Sequence, residues 1–321
     1  MKKGMVMLAM VLLIMATAAA HAQSYQISVS QFVEHPALDA VLKGFQDYMA
    51  QNRMDISYNV HNAQANMATA NQIGFQIMGE KPDMILAIAT PSAQACAQAL
   101  KKTPQMQKTP MLFTAVTDPV SAGLVKDLHH PGANITGVSD MLPVARHLQM
   151  VQEFLPGLQR LGFLYNAGEV NSKVLVPLFT AEARKSGFQI VPATVSKSSD
   201  VYQAVKSLVG RVDAVFVPTD NTVVSALESA IKVCEQNRLP LFNADVDSVK
   251  RGSIAAMGFD YYQHGFQTGA LARRILTGAD PAVTPVEFQE KLQLHINLKA
   301  AKQMGVKVPS ALLKKADKIY R

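Results

Sequence analysis

The stretch MILAIATPSAQA, residues 84–95, holds an apolar run that stops at Thr90-Pro91-Ser92 and passes at once into a helical pattern. Three other stretches repeat the design: PMLFTAVTDPVSAG (110–123), RLGFLYNAGEVNS (160–172) and DAVFVPTDNTVVSA (213–226). Each reads as a buried parallel strand whose carboxyl end carries Thr, Ser, Asp or Asn just before a helix N-terminus. Open α/β sheets bind ligands at that place, because free backbone N–H groups and the helix dipole converge there. Two such turns fall in each half of the chain, which predicts a cleft between two similar lobes.

Strand and helix alternate outward from these stretches. Strands are predicted at Tyr25–Ser30 and Asp55–Val60, with helices over about 37–52 and 66–80. Ile135–Ser139 reads as an extended first crossing between lobes. Alternation then resumes through strands at 161–165, 188–195, 213–217, 239–243 and 254–258. The helices between them cover 173–186, 199–209, 222–237 and 261–277. Residues 284–294 are extended, and a terminal helix pair is expected over 298–319. Strands separated by helices of this length imply βαβ units with right-handed crossovers. No low-complexity linker occurs, so extended crossings should join the lobes.

Lys2 and Lys3 precede an apolar stretch from Met5 to Ala20 that closes on Ala20-His21-Ala22, a small-x-small pattern. This predicts a signal peptide over residues 1–22, cleaved after Ala22, and a periplasmic mature protein. The full chain of 321 residues is 49% hydrophobic, ample for two cores. Its formal charge is +7, but the basic residues are scattered apart from Lys314, Lys315, Lys318 and Arg321. Without a basic stripe interleaved with aromatics, nucleic acid is not expected as a partner. Cys96 and Cys234 lie on helical apolar patterns in opposite halves, so two buried free thiols are expected rather than a disulfide. The His residues are dispersed, and neither a metal nor a cofactor is expected. A G-x-S-x-G elbow, a Walker loop and a G-x-G-x-x-G turn are all missing, which argues against an enzyme.

A set of segments resembles one family. The carriers are VEHPALDAVLKGF (33–45), NAQANMATANQI (62–73), DMILAIATPSAQA (83–95), FTAVTDPVSAGLV (113–125), GANITGVSD (132–140), LYNAGEVNS (164–172), DAVFVPTDNTVVSALES (213–229), DVDSVKRGSIAAMGFDYYQHGFQTG (245–269) and NLKAAKQMGVKVP (297–309). From about Ser28 to Ile319 the chain is similar to ABC-transporter substrate-binding proteins of the tryptophan/tyrosine type, which have the periplasmic type I fold. Ala167 departs from the Pro usual in that family's N-P-G-E-x-N-S turn, and Met141–Leu148, with Arg146 and His147, is less typical. The resemblance implies two Rossmann-like lobes, closure around a small ligand, and delivery to a membrane permease driven by an ATPase. It favours an amino acid, aromatic first, and a monomer. A sensor that engages a membrane receptor, a branched-chain amino acid and a non-amino-acid metabolite stay open. The expected lobes are 24–138 plus 259–284, and 139–258 plus 285–321.

A zwitterionic ligand needs donors for its carboxylate and an anionic acceptor for its ammonium. Thr90 and Ser92 are expected as the carboxylate seat, although either also suits ordinary helix capping. Thr117 and Asp118 line a second strand end, where Asp-Pro is also plain turn chemistry. Glu169, Asn171 and Ser172 cluster in one turn of the other lobe, and Asp220 with Asn221 in another. Asp245, after the strand LPLFNA, is the first choice for the ammonium partner, with Glu169 next, since a carboxylate unpaired in a closing cleft is costly. Gln31 and Glu34-His35 border the cleft after the first strand. Tyr261-Tyr262 is expected to pack in the hinge.

Overall fold

The computed structural model describes residues 24–321; the expected signal peptide lies outside the described residues. The first half runs β1 (Ser24–Gln31), α1 (Pro36–Gln51), β2 (Asp55–Asn62), α2 (Met67–Glu80), β3 (Met84–Ile88), α3 (Thr90–Lys101), β4 (Met111–Val116) and β5 (Ile135–Ser139). The second half continues with α4 (Val144–Phe154), β6 (Arg160–Asn166), α5 (Val170–Lys185), β7 (Gln189–Val195), α6 (Val201–Lys206), β8 (Ala214–Val217), α7 (Asn221–Ser225), α8 (Leu227–Asn237), β9 (Leu241–Asn243), α9 (Asp247–Arg251) and β10 (Ala255–Phe259). Helix α10 (Tyr261–Leu276) and β11 (Glu287–Phe288) follow, then β12 (Leu292–Asn297), α11 (Leu298–Gln303), α12 (Ser310–Lys315) and β13 (Lys318–Tyr320).

Two sheets result. The first has the order β11-β5-β4-β3-β1-β2 and is parallel throughout. The second has the order β13-β12-β10-β9-β8-β6-β7 and is parallel except where β12 runs against β10. Helices cover both faces, so the central strands MILAI and MLFTAV are buried at every position. Each sheet has its own core, one around Phe45, Leu86 and Phe113, the other around Phe163, Phe179 and Phe216. This is the α/β architecture of two Rossmann-like lobes expected from the alternation.

Helix α1 starts where Pro36 pre-sets the first turn and His35 caps it, accepting from Leu38 N–H. Leu38, Val41, Phe45 and Met49 recur on one helical face and are buried. Helix α10 lies on α1 although more than two hundred residues separate them in sequence. A Cβ on Gly265 would stand 1.9 Å from the Val41 carbonyl oxygen, and one on Gly44 would stand 2.0 Å from that of Tyr262. The two helices therefore cross with their backbones in contact, and Leu271, Ala272 and Ile275 of α10 join the first core.

Three expectations change. Residues 135–139 are a strand of the first sheet, so the crossing begins at Asp140. Glu287 and Phe288 pair with Val138 and Ser139, which keeps the returning chain on the first sheet past the expected boundary at 284. The predicted helix over 222–237 breaks at Ala226, and the terminal helix pair, Leu298–Gln303 and Ser310–Lys315, is followed by a short strand beside β12. Among the described residues no helix is long and apolar enough to cross a membrane. Cys96 and Cys234 are free and buried, and burial pushes both thiols up to about 12.

Candidate functional site

The strand tips of both sheets meet around a cavity lined by residues of both lobes. On the first lobe the tip of β4 is shaped by a bulge. The register shifts between Thr114 and Val116, and Ala115 takes a left-handed backbone (φ 52°) that brings it to the cavity. The displaced Ala115 N–H donates to His264 Nε2 at 3.1 Å, so that nitrogen carries no proton. Burial holds the imidazole below its usual pKa, consistent with an acceptor. Thr114 and Thr268 hydroxyls, 2.8 Å apart, pin the same strand to α10.

At the hinge, Asp140 is the meeting point. Its carboxylate accepts from Thr117 Oγ1 at 3.1 Å and from Tyr261 OH at 2.8 Å, and all three line the cavity. Thr117 Oγ1 also lies 3.3 Å from Thr219 Oγ1 of the second lobe, a contact that exists only with the lobes together. Burial first, then the Asp140 charge, raises the Tyr261 phenol well above its usual value.

The second lobe contributes a network of carboxylates. Glu169 accepts from the backbone and side chain of both Asn221 (3.2 and 2.6 Å) and Thr222 (2.9 and 2.7 Å), and from Asn171 Nδ2 at 3.1 Å. Asp220 caps α7 through Val223 N–H at 2.8 Å and accepts from Asn166 N–H and Ser172 Oγ, each at 2.6 Å. Burial, then the Glu169 charge, pushes Asp220 far above the usual carboxylate range. Asp245 accepts from Ser248, N–H at 2.8 Å and Oγ at 2.7 Å, and burial raises it too. Arg251, whose charge reaches Asp245, has its guanidinium bound to Glu228 and to the Val224 carbonyl.

The cavity thus brings together six of the expected residues: His35, Thr117, Asn171, Asp220, Asn221 and Asp245. Glu169 and Ser172 stand behind it, holding Asn221 and Asp220 in place. Four stand apart. Gln31 turns to Val33 and Asp39. Asp118 caps its own turn through Val120 and Ser121. Ser92 meets Ser30 inside the lobe, and Thr90 is buried away from the lining. The expected carboxylate seat is therefore off the cavity. The end of β3 lies between longer neighbours: Phe32 N–H donates to Ile88, Ala89 N–H donates to Thr114, and the tips of β1 and β4 run on past it.

The cavity also uses residues that the sequence does not single out. Asp140 ends GVSD, the same apolar-strand-then-polar pattern, but an extended crossing over 135–139 hides it as a strand end. Tyr261, expected as hinge packing, does pack there and also faces the cavity. Thr219 and Val224 flank the selected pair in β8–α7, whereas Ala115 depends on a bulge that no sequence signal announces.

Comparisons with known proteins agree with this fold. The profile of the family described as ABC transporter substrate binding protein matches residues 26–320. A tyrosine-binding protein of Clostridioides difficile is 38% identical over 289 residues, covering 89% of this chain and 82% of that protein. The crystal structure of a conserved domain protein from Vibrio cholerae is 40% identical, with a TM-score of 0.89, over 92% of this chain and all of that one. A Streptococcus pneumoniae ABC domain in complex with L-Trp is 32% identical, with a TM-score of 0.88 and the same coverage.

Proposed function

The chain belongs to the ABC transporter substrate-binding protein family, and we propose that it captures an aromatic amino acid between its lobes for import. The observation that carries this reading is the charge of the cavity. Asp140, Asp220 and Asp245 line it, each at most 3% exposed, and among the described residues no lysine or arginine does. Buried carboxylates facing one enclosed space favour a cationic guest, because their ionised forms are costly without a partner. An ammonium group answers that need. Asn171 Oδ1, buried and without a hydrogen-bond partner among the described residues, adds a neutral acceptor. Leu38, Val224, Ala115 and the Tyr261 ring give the apolar walls that a ligand side chain requires.

The function is binding without chemistry. The ligand bridges both lobes and draws a pre-existing open–closed equilibrium toward the closed form. The exported protein then works in the periplasm as a monomer, and a membrane permease with its ATPase receives the closed form. The similarity to a tyrosine-binding protein and to an L-Trp complex supports the ligand class.

The test is a thermal-shift screen of the mature protein, refolded to remove ligand, against all amino acids. A ligand at 100 times its Kd contributes about 2.7 kcal/mol and raises Tm by several degrees. Shifts with Tyr, Trp or Phe are expected. Silence across every amino acid would overturn the reading.

A further inference from the structure

The same two-residue turn, Thr-Asp, follows a strand in each lobe: Thr117-Asp118 after β4 and Thr219-Asp220 after β8. The aspartates stay local. Asp118 accepts from Val120 and Ser121 N–H, and Asp220 caps α7 through Val223. The threonines instead meet across the lobe boundary, Oγ1 to Oγ1 at 3.3 Å. A hydroxyl carries one proton. Thr117 gives its proton to Asp140 Oδ1 at 3.1 Å, so in the threonine pair Thr219 is the donor and Thr117 the acceptor. Tyr261 OH donates to Asp140 Oδ2 at 2.8 Å. A directed chain results, from Thr219 through Thr117 to the carboxylate. Donation to a carboxylate polarises the Thr117 hydroxyl and makes its oxygen a better acceptor. The receiving end lies within the first lobe and the start of its crossing. There Ser139 Oγ donates to the Thr117 carbonyl at 2.9 Å, and Asp140 N–H donates to the Val116 carbonyl at 3.3 Å. Of these bonds, the Thr219 link alone joins separate lobes.

We propose that Thr219 is a positioning residue for capture: its hydroxyl latches the second lobe onto the Thr117–Asp140 pair and sets the closed fraction of the protein, whatever the cavity holds. The inference rests on the closure part of the reading above and not on the ligand class. In the open form the Thr219 hydroxyl is hydrated, and closure exchanges water for an acceptor already held in place. One such bond biases the open–closed equilibrium by about three- to tenfold. A ligand then needs that much less differential affinity to complete closure.

Single-molecule fluorescence transfer on the mature protein tests this, with dyes attached through Gln72→Cys and Arg184→Cys, exposed positions in different lobes; the native thiols are buried. Thr219→Val removes the hydroxyl at nearly constant shape and spares the Thr219 carbonyl, which accepts from Asn171 Nδ2 at 2.8 Å. The closed fraction without ligand should fall about three- to tenfold, the worth of that bond, and Thr219→Ser should restore it. With L-Tyr as the probe, Thr219→Val should speed dissociation by a similar factor at an unchanged association rate, since encounter precedes closure. A ligand-free closed fraction that is the same in Thr219→Val as in the wild type would overturn the latch, whether or not L-Tyr binds. A reduced closed fraction in a protein that ignores L-Tyr would support the latch and count against the ligand class alone.

Discussion

Among the described residues, Asp245 is the cavity carboxylate with the fewest partner residues, Ser248 being the one other residue that donates to it. Asp220 by contrast is tied to α7, to Asn166 and to Ser172, so its loss would damage the lobe as well as the site. Asp245→Asn is therefore the cleaner probe of the ammonium contact. Removing one partner of a buried charge pair costs about 2–5 kcal/mol, so affinity should fall at least about 30-fold by titration calorimetry. Tm without ligand should change little or rise, since a buried carboxylate is replaced by an amide. Undiminished affinity would remove Asp245 from the ligand. Asp245, Asp220, Asn221 and Thr117 were legible because each lies within four residues of the end of an apolar strand, and Asn171 because it shares a polar turn with Glu169 and Ser172. Glu169 obeys the same rule, yet it spends its oxygens on Asn221 and Thr222, and a strand-end position does not say which way a side chain turns.

Among the elements, the α1–α10 crossing decides how the returning chain is held to the first lobe. Gly265→Ala would drive a methyl group against the Val41 carbonyl, backbone against backbone, where no rotamer change relieves it. A loss of at least about 1–3 kcal/mol is expected, read as a lowered urea midpoint. An unchanged midpoint would mean that the helices separate freely. His264→Leu tests the neighbouring bulge. It leaves the Ala115 N–H buried without its acceptor, at about 1–3 kcal/mol. Ligand affinity should fall with stability, because Ala115 and Thr117 share that strand tip. Stability lost with affinity unchanged would separate the bulge from the site. The alternation of strand and helix was plain in the sequence, since each central strand is an unbroken apolar run. The bulge, the break at Ala226 and the closing strand at 318–320 were not. Ala226 and Lys318–Tyr320 are set by packing and pairing with distant segments, which local patterns do not carry.

For the whole molecule, buried ionisable groups of both kinds shape the response to pH. Asp247 is driven to about 7 by burial, then by Asp245 and Asp260, and Asp220 to about 8 by burial and then Glu169. In the unfolded chain such groups release their protons near pH 4. Between those limits the folded state holds more protons, so stability falls as pH rises from about 4 and levels off above about 8. His35 and His147 work oppositely. Burial lowers both to about 4, whereas the unfolded residues titrate near 6.5, so their contribution is lost as pH falls below about 6.5. The two pairs offset each other up to about pH 6, so the Tm of the ligand-free protein should be nearly level there and decline between about pH 6 and 8. A bound ammonium changes that decline, because it stabilises ionised Asp220 and Asp245 and lowers their pKa values. Ligand binding at pH 7 should then release protons, and affinity should rise between pH 6 and 8. Calorimetric titrations in two buffers of different ionisation enthalpy count those protons. Net release fits a cation seated among these carboxylates; net uptake would mean that the ligand presents an anion to them and would overturn the placement of the ammonium beside Asp220 and Asp245.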